Sequence, residues 1–169
     1  MNDMLITAAS NGWEDAVKNL LNKGVNVNWK DDQGRVALMF AAENGHFNIV
    51  SKLLNAGAII DLKDNRGWTA LMIAGWHGQL HVVRELLNHG ADIHAKSNDI
   101  GSTTLMLSAL RGHTSVVREL LDNGADINEK NDVGNTALKY VAERGDEAII
   151  QELLDLGADI EAKNNDGRT

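Results

Sequence analysis

The chain has 169 residues, long enough for one domain with its own core, and its 43% hydrophobic and 24% charged residues are ordinary for a globular protein. A formal net charge of −8, with no run of Lys or Arg, argues against nucleic acid or an anionic membrane surface as a partner. There is no cysteine, no apolar run near the roughly 18 residues of a membrane span, and no signal-peptide pattern in the acidic, polar opening MNDMLITAASNGWEDAV, so the plain expectation is a cytoplasmic protein.

Fifteen of the sixteen glycines fall into three registers spaced by 33 residues, with one step of 34 between Gly67 and Gly101; only Gly75 stands outside them. The period predicts five repeated units, at 1–33, 34–66, 67–100, 101–133 and 134–166. The first begins with Asp3 in a capping place and has a helix closed by Gly12 and a second closed by Gly24. The second opens on Asp31 and Gly34, the first and fourth positions of a type I turn, but has Val36 where a cap belongs. The third repeats that turn with Asp64 and Gly67, caps with Thr69, and runs ALMIAGWH to Gly78 and LHVVRELLNH to Gly90. The fourth uses Asn98, Gly101 and Thr103, then TLMLSALR and TSVVRELLDN. The fifth uses Asn131, Gly134 and Thr136, then ALKYVAER and EAIIQELLDL. Residues 167–169 start an incomplete sixth unit, so the chain either continues beyond Thr169 or tolerates an exposed last unit.

Stripes such as Val82-Val83 with Leu86-Leu87 have helical spacing and mark core faces. Two helices of about ten residues do not persist alone in water, so each pair must bury its apolar side on its neighbours. The expected fold is an all-α solenoid of stacked helix-turn-helix units with β-hairpin arms between them.

The unit resembles the ankyrin repeat. The resemblance rests on Thr69-Ala70-Leu71-Met72, Thr136-Ala137-Leu138-Lys139, Gly45-His46, Gly112-His113, and the stretches Gly90–His94 and Gly124–Asn128 (GADIH and GADIN). The chain departs from the family in lacking proline: Ala37, Ala70, Thr104 and Ala137 stand in the usual proline place. Met39, Met72, Met106 and Lys139 replace the motif histidine.

The resemblance implies a protein-binding module, not an enzyme, monomeric and without a cofactor. It implies a concave surface built from the arm tips and the inner side of each first helix. The residues expected to contact a partner there are Arg35, Arg66, Trp68, Trp76, His77, Ile100, Leu110 and Arg111. Lys30, Lys63, Lys96, Lys130 and Ser102 fall on the same strip by position. Trp68 and Trp76 occupy places held elsewhere by Arg35 and Asn135, and by Glu43, Leu110 and Glu143, which reads as a variable, outward pair central to an interface. Gly75 is expected to make room for one of the indoles. Trp13 and Trp29 read as structural. A spacer role within a larger repeat protein is the alternative. A metal-dependent hydrolase is weaker, because His77 and His81 are separated by helix-breaking Gly78 and no third ligand is evident.

Overall fold

The structure, a computed structural model, describes residues 2–169, and among them are ten α-helices in five pairs. They are α1 (Asn2–Ser10) with α2 (Glu14–Asn22), α3 (Ala37–Glu43) with α4 (Phe47–Asn55), and α5 (Ala70–Trp76) with α6 (Leu80–Asn88). Then come α7 (Thr104–Arg111) with α8 (Thr114–Asp122), and α9 (Ala137–Arg144) with α10 (Glu147–Asp155). All fifteen periodic glycines have positive φ, the conformation that ends each helix or closes each turn and that side chains with a Cβ disfavour. Thr69 accepts from Met72 N (3.3 Å) and Thr103 from Met106 N (3.4 Å), as caps should. Val36 and Thr136 give no side-chain cap; for the threonine this differs from expectation.

First helices pack in one row, α1 on α3 and so on to α9, and second helices α2 to α8 in another, each pair also packing on itself. The rows align equivalent leucines. Leu38, Leu71 and Leu105 along the first, and Leu53, Leu86 and Leu120 along the second, are at most 2% exposed. Burial weakens only at the ends, where Leu20 and Leu138 reach 8%.

The connecting arms differ from the expected β-hairpins: among the described residues they contain turns and no strand. The turns close on themselves, as with Asp31 N to Arg35 O (2.9 Å) and Gly34 N to Asp31 O (2.9 Å), or Asp64 N to Trp68 O (3.0 Å) and Gly67 N to Asp64 O (2.9 Å). Each after the first then donates one backbone bond to the preceding turn: Asn65 N to Gln33 O, Asn98 N to Arg66 O, Asp132 N to Ile100 O and Asn165 N to Val133 O, all 2.9–3.0 Å. Isolated rungs do not make a ladder. The lysines placed on the binding strip have another job. Lys30, Lys63, Lys96 and Lys130 each donate Nζ to the carbonyl of the lysine one unit ahead, at 2.8–3.1 Å. They tie arm to arm.

The 34-residue step is absorbed inside its turn. Ser97, not Asn98, holds the turn: Ser97 N donates to Ser102 O, and Ser102 N donates to Ser97 Oγ, both at 3.0 Å. The extra residue lies between them, five positions spanned instead of four, while α7 packs on α5, α8 and α9 as α5 packs on α3, α6 and α7.

Gly75 serves a helix contact, not an indole. A Cβ there would lie 2.5 Å from Thr104 Cγ2 and 2.8 Å from Ser108 Oγ. Thr104 and Ser108 stand where the third unit has Ala70 and Ala74, so bulk on α7 is matched by its absence on α5. Gly75→Ala is expected to destabilise the protein by about 1–3 kcal/mol through overpacking. Adding Thr104→Ala should recover part of that loss; denaturant unfolding of the two single variants and the double variant checks for this coupling.

A second expectation follows from the weaker enclosure of the fifth pair. Helix α10 buries only Ile149 and Leu153 and rests mainly on α9. Its amides should exchange with solvent faster than those of α6 and α8, as measured by hydrogen exchange.

Candidate partner-binding cleft

The turns and the first-helix row meet in a cleft of about 670 Å³ spanning the second and third units. Arg35, Arg66 and Trp68 line it from the turns, and Glu43, Ile73, Trp76 and His77 from α3 and α5. Its shape begins with Asp64, whose side chain is nearly fully buried. One carboxylate oxygen accepts from Arg66 N (2.9 Å) and Trp68 N (2.8 Å), the Asx pattern that sets the turn. The other accepts from the Arg66 guanidinium at 3.3 Å. The turn thereby fixes the Trp68 backbone and lays the Arg66 guanidinium over the Trp68 ring, 4.6 Å from its centroid.

Trp68 meets Trp76 edge to face, with ring centroids 5.5 Å apart and planes at 69°, a favoured aromatic geometry. The Arg111 guanidinium lies over Trp76 at 4.7 Å. The four side chains form a continuous Arg66–Trp68–Trp76–Arg111 stack that reaches from the end of the second unit into the fourth. At the other end, Arg35 lies 4.0 Å over Phe40 and forms ion pairs with Asp31 (3.4 Å) and Glu43 (3.7 Å). The His77 ring approaches Glu43 at 3.8 Å.

Trp68 differs from expectation. It is 8% exposed, not outward-facing, because Arg66 and Trp76 cover it. Its Nε1 is closed to water and has no acceptor, which costs on the order of 1–3 kcal/mol. Trp76, Arg35 and Leu110 are half-buried, and Arg66, His77, Ile100 and Arg111 are exposed. Ser102 is buried. Trp13, expected to be structural, is 57% exposed. Its counterpart His46 bonds back to Ser10 O (3.1 Å), and His113 to Trp76 O (2.9 Å); among the described residues no unit precedes Trp13 for it to cover. His77 closes α5 and His81 lies on α6, so the two sit on different helices. No cluster of three or more His, Asp or Glu suited to a metal occurs among the described residues.

Paired helices packed at a 33-residue period, joined by turns that carry the variable side chains, define a helical repeat protein. A family model described as ankyrin repeats (3 copies) matches residues 5–97 and 94–164, and the chain belongs to the ankyrin-repeat family. Ankyrin repeats are generally protein-interaction modules and typically not enzymes. No curated protein matches the chain.

In the turn before α7, Asp99 accepts from the Ser97 hydroxyl and from Ile100 N (2.7 Å). The Ser97 bond, helped by Ile100, outweighs burial and holds its carboxyl below the usual value of 3.8. A depressed folded-state pKa means that Asp99 contributes stability above the unfolded value, and that this contribution is lost as pH falls from there through the folded value. Carbon-13 titration of the Asp99 carboxyl should show the low midpoint, and Ser97→Ala should raise it.

Proposed function

We propose that the chain is a monomeric ankyrin solenoid of five units, 1–33, 34–66, 67–100, 101–133 and 134–166, that binds a partner protein on the concave side formed by the turn tips and first helices. The Arg66–Trp68–Trp76–Arg111 stack beside the central cleft carries this reading. Trp and Arg dominate interface hot spots, and here they are held in place before any partner arrives, so little side-chain entropy is lost on docking. Trp76, Arg66, Arg111 and His77 supply direct contact, with Arg35, Ile100 and Leu110 flanking them. Trp68 supports the others from beneath. A cytoplasmic setting fits the absence of cysteine but rests on composition alone.

A spacer role remains the second reading. It would leave the stack without a task, yet the orphaned Trp68 N–H is a costly feature for a spacer to keep.

Trp76→Ala and Arg111→Ala should each weaken binding of a captured partner by roughly 2 kcal/mol or more, measured by titration calorimetry. Lys18→Ala on α2, exposed and on the second-helix row, is the matched control and should leave affinity unchanged. Trp68→Ala is unsuitable as a binding probe, because removing a buried tryptophan costs about 3–5 kcal/mol of stability. If Lys18→Ala weakens binding more than the two cleft substitutions, the partner sits on the opposite side.

A further inference from the structure

The cleft's ionic bookkeeping is uneven. Arg35 is paired with Asp31 and Glu43, and Arg66 with Asp64. The Arg111 side chain makes no ion pair and no hydrogen bond among the described residues, although the chain carries 24 acidic residues against 16 basic ones. Its only specific contact is the face of Trp76. Stacking holds the guanidinium plane and leaves its N–H edge free, the arrangement in which arginine best takes a carboxylate side-on. Arg66 is held the same way on Trp68, with 62% of its side chain exposed. Between them the Trp68 N–H is a buried donor without an acceptor. The Asp64 oxygens are already engaged by Arg66 and Trp68 backbone and side-chain donors. The stack therefore has donors to spare and no idle acceptor.

Building on the protein-binding reading, we propose that the partner lies along this stack, beside the cleft that Trp76 lines, as an extended segment carrying an acidic side chain. Its carboxylate pairs with Arg111 at one end of the stack. An apolar neighbour in the same segment rests against Trp76, Leu110 and Ile100. The overall charge of −8 opposes a second acidic chain at long range, but that repulsion is screened within about 8 Å at physiological salt, whereas contact pairing on a stacked arginine is not. The arrangement selects for one placed carboxylate and against acidic chains in general.

The test uses the full chain, nitrogen-15 labelled, and three Gly-Ser peptides with a central leucine flanked by glutamate, glutamine or lysine. Arginine Nε–H and indole Nε1–H resonances report the site. The glutamate peptide should shift Arg111 and Trp68 at millimolar concentration, with at least tenfold tighter apparent binding than the glutamine peptide. Arg111→Gln should remove that difference while leaving the melting temperature within a few degrees. Equal shifts from the glutamine peptide, or stronger ones from the lysine peptide, would overturn the acidic preference while leaving the cleft a protein-binding site. Shifts confined to the second-helix row would overturn both. Inorganic phosphate reproducing the Arg111 shift at the same concentration would mark a simple anion site and also overturn the proposal, as would no shift with the glutamate peptide.

Discussion

No helix pair in this protein owns a core. Helices α5 and α6 pack on the pairs on either side, and the leucines from Leu38 to Leu105 and from Leu53 to Leu120 stay at 2% exposure or less between them. Burying a leucine stabilises by about 1.5–3 kcal/mol, but only if a neighbour is present at the right height. The polar bonds answer that requirement. Lysine Nζ to the next arm's carbonyl, and one backbone rung between successive turns, recur at every junction and lock the register in which the apolar rows match.

The proposed binding surface is the remainder left by this scaffolding. Positions equivalent to Trp68 hold Arg35, Ser102 and Asn135; those equivalent to Trp76 hold Glu43, Leu110 and Glu143. None of these is needed for the leucine rows, so they vary from pair to pair on a frame that does not. In the third pair the variation yields two indoles close enough to meet, with Asp64 fixing one through its backbone and Arg66 and Arg111 covering both. Stiffness in the scaffold becomes preorganisation in the cleft.

Much of this was legible before any coordinates. The glycines were readable because left-handed backbone is steep to adopt for anything with a Cβ, so a periodic glycine is a periodic helix end or turn. The stripe Val82, Val83, Leu86 was readable because helical spacing and burial go together. What escaped were effects that depend on two units at once. Position alone placed Trp68 outward; Arg66 two residues earlier and Trp76 from the next helix close over it. Lys63 looked like a tip cation until the Lys96 carbonyl appeared within reach of its ammonium. Gly75 looked like room for an indole because the bulk it accommodates, Thr104 and Ser108, lies twenty-nine and thirty-three residues further on, in another helix. Asn98 seemed the turn residue because the extra position shifts the Asx signal by one, and Ser97 fills the role with its hydroxyl instead.

If stability resides between pairs, damage to one pair must spread to its neighbours. Residue-resolved hydrogen exchange on Leu86→Ala, which removes a fully buried side chain from α6, tests this most directly. The account predicts lost protection in α4 and α8 as well as in α5 and α6, with α1 and α2 least affected. Protection lost in α5 and α6 alone, with α4 and α8 unchanged, would mean that each pair holds itself together and that the interface account is wrong.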